Sequence, residues 1–544
     1  MRFISPPRPP AGLHWFIFCF LFWAWIMAGP APAHAGAPAV TAGPENPKWP
    51  LCEGSCSSQN ISFVHIADLH ARYNPDKDGS SPAARIRGIY EQVKKENPFT
   101  IFTNAGDDYE KGSLAEELSR GRTTREVVHA LRFDVRTLGN HDFAWGLEEL
   151  FRFSHDPSAA VLAANIRTVS GKDGFPLSRA PGWTDFTILT VGCVRIGFFG
   201  LVTRPWGEAD RPYDGPYFRE YPALQADFKF AELAGDIIAR HRQDVDLLVL
   251  VSHLGLEEDM ALAKATRGID LILGGHTHST TPTPLLVNQT LIVHSGAFGE
   301  TVGRMDMEYD VLNKRIADTR FRLIANRPGE APEDEHTRGL VAGILEPYQQ
   351  DLYEPVTDIR RDREKDTVAL IAARAAMETL DIDAAFVHKG TVWQDWRQGE
   401  LTRQDILDAF KVERQPSGTP GCSSLYRMEV RGRDLIHART VLKNCVYQGP
   451  AGIRPDALYT IALQKPQALN QLEIFGKKIG CSEPKPAAEL WETVVAFAQN
   501  LKSSGLSLDQ GLQENAGSPL VALLKANLLT RPSSKPSSAF SSER

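Results

Sequence analysis

The chain has 544 residues, of which 42% are hydrophobic and 23% charged, with 43 glycines and 36 prolines. This composition is typical of globular proteins, and at roughly 100–200 residues per domain the length predicts two or three domains. It excludes a collagen-like repeat, a largely disordered chain and a protein with many membrane spans. The formal net charge is −7, so the surface lacks the positive charge that polymeric DNA or RNA requires, and we expect neither as a partner.

The first 35 residues have the three parts of a secretory signal peptide. Two arginines precede an apolar run at Leu13–Ala28, and small residues and prolines follow, with a small-x-small cleavage site ending at Ala35. An uncleaved anchor is the alternative, but the run is shorter than the roughly 20 apolar residues that cross a bilayer. The sequence therefore predicts a signal peptide at residues 1–35, an exported periplasmic or extracellular protein, and no membrane span after cleavage.

Cysteine usage agrees with export. One cysteine lies in the predicted signal, and the others are Cys52, Cys56, Cys193, Cys422, Cys445 and Cys481. An even number of cysteines in an exported chain permits disulfide bonds, although spacing alone does not fix their pairing. A local bridge between Cys52 and Cys56 is one hypothesis, and a bridge among the last three is another. A four-cysteine zinc site is less favoured, since the chain has a single short cysteine pair.

Apolar runs typical of buried strands alternate with amphipathic helical stretches between residues 60 and 325. This alternation predicts a layered α/β domain with helices on the faces of the sheet. The predicted strands are Ile61–Ala67, Thr100–Asn104, Val135–Leu138, Val161–Ala164, Val194–Leu201, Leu247–Ser252 and Ile269–Leu273. The predicted helices are Ala83–Lys95, Thr123–Leu131, Leu224–Arg242 and Leu256–Arg267.

A second, smaller α/β block is predicted at residues 367–528. Charged and proline-rich residues 326–366 precede it and are predicted to form a linker, with a helical stretch near Thr337–Leu352. The elements of the block are helices at Val368–Leu380, Arg403–Phe410 and Ala487–Asn500, and strands at Ala384–His388, Leu425–Val430 and Ala457–Leu463. Residues 529–544 are rich in serine and proline and are predicted to be a disordered tail.

Five polar motifs directly follow predicted strands. They are Asp68-Leu69-His70, Gly106-Asp107, Gly139-Asn140-His141-Asp142, Ser252-His253 and Gly274-Gly275-His276-Thr277-His278. Ligand sites form at the carboxyl ends of strands in an open α/β sheet, because the loops there converge. Any one of these motifs alone is more often a turn, a helix cap or an ordinary polar residue. Together, in this order, they predict a shared site.

The motifs supply carboxylate, amide-oxygen and imidazole donors, which suit Mn²⁺, Fe, Zn²⁺, Co²⁺ or Mg²⁺ rather than copper(I). The candidate metal ligands are Asp68, His70, Asp107, Asn140, His253, His276 and His278. They are too many for one ion and fit two that share a carboxylate. Two divalent ions about 3.5–4 Å apart clamp the attacking and departing oxygens of an in-line displacement, which favours phosphoester hydrolysis.

The series D-x-H, G-D, G-N-H-D, S-H and G-G-H-T-H resembles the calcineurin-like metallophosphoesterase superfamily. Its order, with Ala164–Ile166, Ser295–Gly299 and the second block, resembles the secreted two-domain 5′-nucleotidase and 2′,3′-cyclic-nucleotide phosphodiesterase family. Motifs carry the resemblance from about residue 60 to 310, and only the order of elements carries it from about 365 to 500. The resemblance implies a four-layer α/β/β/α sandwich followed by a smaller α/β domain that holds the nucleoside and rotates to deliver substrate.

The same resemblance implies a role for each motif residue. The first of two metal ions would be bound by Asp68, His70 and His278, and the second by Asn140, His253 and His276, with Asp107 bridging the two. The predicted catalytic residues are Asn140 and His141, and His141 would protonate the leaving oxygen or stabilise transition-state charge. Asn104 would shape the turn before Asp107. The implied reaction is hydrolysis of a small-molecule nucleotide or other phosphoester by a metal-bridging hydroxide.

The catalytic histidine lacks one partner that the family pattern provides. In the family pattern an aspartate that orients the histidine usually follows the segment Asn140–Phe143, but Ala144 occupies that position here. Asp142 and Glu148 are the candidate substitutes.

The second block also departs from the family pattern. The segment that carries a phosphate-binding arginine in the family aligns with His388–Trp393. Lys389, His388 and Trp393 are therefore candidate substrate-binding residues, with a purely structural role as the alternative.

Two other functions stay open. In the first, the protein binds the same metals but hydrolyses non-nucleotide phosphate esters or sulfur-linked sulfonate esters. The other is a catalytically idle binding protein on the same scaffold. Intact ligand positions argue against the idle protein, because clustered polar groups are costly to keep without a use.

Overall fold

The computed structural model describes residues 48–50, 56–168, 182–204, 221, 223–410, 423–508 and 510. All of them belong to one compact unit of the chain, Val40–Arg544. The predicted signal peptide (residues 1–35), the predicted tail (529–544), Cys52 and Cys422 lie outside the described residues. Among the described helices, none is long and apolar enough to cross a membrane.

Two sheets form the N-terminal block, which we define as the described residues from 56 to 325. In chain order its strands are β1 (Ser58–Ile66), β2 (Thr100–Asn104), β3 (Val135–Thr137), β4 (Ala160–Leu162), β5 (Ile166–Thr168), β6 (Trp183–Thr184), β7 (Phe186–Val191), β8 (Val194–Val202), β9 (Leu224–Ala226), β10 (Leu247–His253), β11 (Leu271–Gly274), β12 (Leu285–Val287), β13 (Thr290–His294), β14 (Thr301–Asp310) and β15 (Arg315–Ala325). One sheet has the order β15-β14-β1-β2-β3-β4-β6 and the other β12-β13-β11-β10-β8-β7, while β5 and β9 form a separate ribbon.

The centre of each sheet is parallel. In the first sheet β1, β2, β3 and β4 run in parallel, and in the second β8, β10, β11 and β13 do. Parallel strands that are covered on both faces read as continuous apolar runs, which is why the sequence located all of these strands except β13. Their carboxyl ends carry all five polar motifs.

The two sheets pack face to face, and helices cover their outer faces. Phe63, Phe198 and Val249 belong to the apolar core between the sheets. On the outside of the first sheet, Val64 packs in the same core as Tyr90 of a covering helix. The helices of this block are Pro82–Glu96, Leu114–Ser119, Arg122–Leu131, Leu147–Ser154, Phe230–His241 and Leu256–Ala265. This arrangement confirms the predicted four-layer α/β/β/α sandwich.

The C-terminal block, which we define as the described residues from 355 to 510, is smaller. Its strands are β16 (Pro355–Ile359), β17 (Ala384–His388), β18 (Gly399–Thr402), β19 (Leu425–Arg431), β20 (Cys445–Gln448), β21 (Leu458–Gln464) and β22 (Lys485–Ala488), and its main sheet has the order β20-β17-β21-β19-β22. Its helices are Lys365–Thr379, Arg403–Asp408, Gly432–Val441, Lys465–Leu469, Gln471–Phe475 and Leu490–Ser503. The predicted second α/β fold is confirmed.

The segment predicted as a linker, residues 326–366, contains regular structure. Helix Glu335–Leu345 packs against the N-terminal block's helices Pro82–Glu96 and Arg122–Leu131, and helix Gln349–Tyr353 follows it. Strand β16 then pairs with β18 of the C-terminal block. The domain boundaries given by the sequence stay a prediction.

Two expectations from the sequence are wrong in detail. The single helix expected at Leu224–Arg242 is divided, because β9 occupies its first residues and the Asp227 carboxylate accepts a hydrogen bond from the Lys229 amide in the turn that follows. The hypothesis of a local Cys52–Cys56 bridge is also wrong: Cys56 is bonded to Cys193, at the turn between β7 and β8. Among the described cysteines, Cys445 and Cys481 are free thiols.

Candidate metal centre

The seven predicted ligands meet at the carboxyl ends of five strands. Asp68 and His70 follow β1, Asp107 follows β2, Asn140 follows β3, His253 ends β10, and His276 and His278 follow β11. The first three strands belong to one sheet and the last two to the other, so the site lies where both sheets present their loops. Residues separated by more than two hundred positions are thereby brought into contact.

The ligand atoms form two groups. In the first group, His278 Nε2 lies 3.1 Å from His70 Nε2 and 3.6 Å from Asp68 Oδ1. In the second group, Asp107, His253 and His276 each present a ligand atom, and these atoms lie within 4.8 Å of one another. Each group is of the size and chemistry that holds one divalent ion.

Asn140 joins the second group. Its Oδ1 lies 3.2 Å from His253 Nε2, and its side chain is almost fully buried. Amide oxygen is a hard donor of the kind that Mn²⁺, Mg²⁺ and Zn²⁺ accept beside imidazole.

Asp107 reaches both groups through one oxygen. Its Oδ2 lies 3.1 Å from His253 Nε2 and 3.9 Å from His70 Nε2. Its Oδ1 accepts a hydrogen bond from the His141 amide at 2.7 Å, which fixes the carboxylate in place. Asp107 therefore lies between the two groups of candidate ligands.

Backbone carbonyls fix the tautomers of two imidazoles. His70 Nδ1 donates to the Tyr109 carbonyl at 3.0 Å, and His253 Nδ1 donates to the Ala105 carbonyl at 2.6 Å. Each Nε2 is therefore the ring nitrogen that faces the site, and in the neutral imidazole it carries the lone pair that a metal ion binds. His253 Nε2 faces two further acceptors, on Asp107 and Asn140, and a cation satisfies all three. The residues present therefore fit a metal ion.

Five of the seven ligands have a left-handed backbone. The φ angles are 53° at Asp68, 49° at His70, 57° at Asp107, 79° at His276 and 55° at His278. This region is unfavourable for residues with a Cβ, and such strain is concentrated at functional sites where the surroundings hold it. Hydrogen bonds stabilise this backbone conformation: the amide of His276 donates to both carboxylate oxygens of Asp68, at 3.0 and 2.9 Å.

Two glycines allow the loops after β2 and β3 to touch. A Cβ on Gly139 would lie 2.2 Å from Asp107 Oδ1, and a Cβ on Gly106, where φ is +85°, would lie 2.3 Å from the Gly139 nitrogen. Asn104 Oδ1 accepts a hydrogen bond from the Gly106 amide at 2.9 Å, which fits its predicted role in the turn. No larger residue fits at either glycine unless Asp107 or the backbone of the loop after β3 moves.

Burial sets the direction of the pKa shift at three of the candidate ligands, whereas at His253 the charge of Asp107 outweighs burial and raises the pKa to about 9. Burial lowers the pKa of His276 to about 3 and that of His278 to about 4, so both imidazoles are neutral at neutral pH, as metal binding requires. It raises the pKa of Asp68 to about 8, which means that this carboxylate lacks sufficient positive charge from the protein alone. Burial opposes ionisation of Asp107 as well, but His253 and His141 hold its pKa well below the usual value.

His141 lies beside the two groups and is oriented by Glu110. The imidazole contacts that of His70 edge to face, with the ring centroids 5.0 Å apart. His141 Nδ1 is hydrogen-bonded to the Glu110 carboxylate, and both side chains are buried.

Neither substitute suggested by the sequence performs this role. Asp142 accepts hydrogen bonds from the Gly139 and Asp108 amides, at 2.7 and 2.8 Å, and so fixes the loops instead. Glu148 pairs with Arg152 on the surface. Glu110 was missed although it lies only three residues after Asp107, on the same loop.

The sequence also missed Lys111. Its Nζ donates to His141 Nε2 at 3.1 Å and lies 5.8 Å from the ring centroid of Trp393. Trp393, a predicted substrate-binding residue, is thus brought from the C-terminal block to the edge of the metal centre.

The other two predicted substrate-binding residues have local partners. His388 Nδ1 accepts a hydrogen bond from the Gly390 amide at 3.1 Å, which caps a short helix. Lys389 is exposed and its Nζ pairs with Asp366 at 2.5 Å.

The candidate metal ligands lie in a segment that matches a known protein family. Residues 61–280 match the calcineurin-like phosphoesterase family. An apyrase from Tabanus yao is 29% identical over 47% of this chain and 49% of its own length, and the 5′-nucleotidase of Mus musculus is 24% identical over 53% of this chain and 52% of its own. The chain therefore spans about half the length of the curated relatives it matches.

A solved structure extends the likeness in fold to the C-terminal block. The 5′-nucleotidase precursor from Thermus thermophilus superposes with a TM-score of 0.60 at 18% identity, over 82% of this chain and 97% of that one. Residues 61–280 thus match the calcineurin-like phosphoesterase family, and the described chain as a whole shares its fold with a 5′-nucleotidase precursor.

Proposed function

We propose that the protein is an exported hydrolase of phosphoesters that uses two divalent metal ions and acts on nucleotides, as a 5′-nucleotidase or a cyclic-nucleotide phosphodiesterase. The observation that carries the proposal is the position of Asp107, whose Oδ2 lies 3.1 Å from His253 Nε2 and 3.9 Å from His70 Nε2. A carboxylate shared in this way is what two neighbouring cations require.

Each group of ligands would hold one ion. Asp68, His70 and His278 would bind the first, Asn140, His253 and His276 the second, and Asp107 both. When bound, such ions supply positive charge for the phosphoryl oxygens and activate the attacking water.

His141 would meet the leaving oxygen of the ester. The Glu110 carboxylate holds Nδ1, so the opposite edge of the ring, with Nε2, is presented toward Lys111 and the mouth of the site. A buried carboxylate in this position orients the ring and stabilises its protonated form as the proton is exchanged. Glu110 is thus a positioning residue for the proposed catalytic histidine.

Export is supported by two independent features. The first 35 residues have the composition of a signal peptide, and the Cys56–Cys193 disulfide requires an oxidising compartment to form and persist. We accordingly place the mature protein in the periplasm or outside the cell. N-terminal sequencing of the exported protein tests this placement, since it should begin close to residue 36.

Nucleotides are the proposed substrates because the relatives named above are a 5′-nucleotidase and an apyrase. One observation favours non-nucleotide esters as a second candidate. His388 and Lys389, which align with the family's phosphate-binding segment, are engaged by Gly390 and Asp366.

Hydrolysis of bis(4-nitrophenyl) phosphate with and without Mn²⁺ tests the proposed reaction. We expect turnover that EDTA abolishes and Mn²⁺ restores, and none in Asp107→Asn. A panel of nucleoside mono-, di- and cyclic phosphates, sugar phosphates and sulfonate esters then separates the two substrate classes. An idle binding protein would hydrolyse none of them in any metal.

A further inference from the structure

The loop after β2 brings a positive charge to the edge of the metal centre. Lys111 Nζ lies 3.1 Å from His141 Nε2, on the ring edge opposite Glu110. The lysine is half-buried, and its ammonium group lies 5.8 Å from the centroid of Trp393 in the C-terminal block. This charge therefore lies between the proposed catalytic histidine and the C-terminal block, where the leaving side of a substrate would be.

The position of Lys111 is fixed by the fold. The residue after it, Gly112, approaches the backbone of the first ligand loop so closely that a Cβ would lie 2.2 Å from the His70 carbonyl oxygen. Gln404 of the C-terminal block then clamps the loop from outside. Its Nε2 donates to the Gly112 carbonyl and its Oε1 accepts from the Leu114 amide, both at 2.7 Å.

Arg72 and Lys389 each pair with a carboxylate. Arg72, which lies 5.9 Å from the ring centroid of Phe298, pairs with Asp408 at 2.7 Å. Lys389, the cation that sequence alignment favoured for substrate, pairs with Asp366 on the surface. The ammonium group of Lys111 faces His141 at the metal centre.

We propose that Lys111 binds the tetrahedral oxyanion of the substrate, donating a charge-assisted hydrogen bond to a non-bridging oxygen, with Trp393 as the wall on the leaving side. The inference rests on the proposed function. Phosphate and sulfonate groups share this tetrahedral oxyanion chemistry. Because an added positive charge favours the more highly charged ester, Lys111 should select dianionic monoesters over monoanionic diesters.

The test compares Lys111→Met and Lys111→Arg with Lys389→Met as the matched control. Isothermal titration of metal-loaded protein with inorganic phosphate, and separately with thiosulfate, reports anion binding without turnover. Loss of one charge-assisted hydrogen bond should weaken anion binding by roughly tenfold or more in Lys111→Met, while Lys111→Arg retains most of it and Lys389→Met equals wild type. If the affinity for only one of the two anions is weakened, that anion is the one that the lysine binds.

Kinetics provide the second arm. In Lys111→Met the ratio of kcat/KM for 4-nitrophenyl phosphate to that for bis(4-nitrophenyl) phosphate should fall by roughly tenfold, at unchanged metal content. Equal anion affinity in Lys111→Met and wild type overturns the inference, as does weakening by Lys389→Met alone. If Lys111→Met does not fold, the affinities of Lys111→Gln for phosphate and thiosulfate test the inference in the same way. Absence of metal-dependent turnover in wild type would instead refute the proposed function, and the titrations would still test the lysine.

Discussion

The carboxylate of Glu110 is hydrogen-bonded to Nδ1 of His141, and the two side chains are buried together beside the metal ligands. Burial, followed by the charge of Lys111, holds the pKa of His141 well below its usual value in the protein alone. The protonation that we propose for His141 during turnover would therefore depend on the negative charge of Glu110.

Replacing Glu110 with Gln should leave an orienting hydrogen bond but remove the charge. We expect kcat for a phosphoester to fall by roughly tenfold to hundredfold, and the metal content to stay that of wild type. Stopped assays across pH 5–9, with metal content measured on the same samples, check this. Glu148→Gln is the control, because Glu148 lies on the surface and pairs with Arg152, and its kcat should match wild type. A Glu110→Gln enzyme with wild-type kcat at every pH would remove Glu110 from the mechanism.

The Cys56–Cys193 disulfide ties the start of β1, in one sheet, to the β7–β8 turn of the other sheet. The cysteines are 137 residues apart in sequence, and closing so long a loop stabilises the fold by about 5 kcal/mol in the chain-entropy model. The double variant Cys56→Ser/Cys193→Ser should therefore lose several kcal/mol of unfolding free energy, measured by urea denaturation, with kcat of the folded protein unchanged.

A matched control for the disulfide exists in the C-terminal block. Cys445→Ser/Cys481→Ser removes two thiols that are free, so its denaturation midpoint should equal that of wild type. Equal destabilisation of the two double variants would show that serine itself, and not loss of the cross-link, is responsible.

Glu116 should make stability depend on pH. Its buried carboxyl accepts hydrogen bonds from the Glu110 amide, the Trp145 indole and the Thr124 hydroxyl, and burial raises its pKa from 4.5 to about 8. Between these two values the folded protein binds more protons than the unfolded chain, so the contribution of Glu116 is fully present below pH 4.5 and is lost as pH rises to about 8.

The variant Glu116→Gln isolates that contribution. Its amide oxygen can accept from the same backbone and indole donors, and its NH₂ can donate to Thr124, without carrying a charge. The unfolding free energy of Glu116→Gln minus that of wild type should increase steadily from pH 5 to pH 8, when both are measured by urea denaturation with the same metal present. A difference that is flat over this range would mean that Glu116 is ionised in the fold.

The sequence predicted the part of the fold that depends on uninterrupted apolar runs. Central strands such as β2 and β17 were predicted with the bounds that they have, because both faces of each are covered. The hairpin of β14 and β15 was not predicted. Its strands carry charged residues at frequent intervals, including Arg304 and Asp306, which pair with each other on one face.

The same distinction separates the site residues that the sequence could place from those that it could not. The seven candidate ligands could be brought together from the sequence because each ends or follows a parallel strand, whose carboxyl end fixes where the next residue lies. Glu110 and Lys111 sit farther along a loop with left-handed φ angles of 68° and 73°, and no local pattern indicates where such a loop points. The Cys56–Cys193 pairing was equally out of reach, since it depends on which strand ends the two sheets bring together.

The central claim, that Asp107 is shared by two cations, is tested most directly by counting metal ions. Wild type, Asp107→Asn and His141→Ala would be loaded with Mn²⁺, dialysed and analysed by mass spectrometry of the metal. We expect about two ions per chain in wild type and in His141→Ala, and loss of both in Asp107→Asn. A single ion per wild-type chain, or full occupancy in Asp107→Asn, would contradict the account.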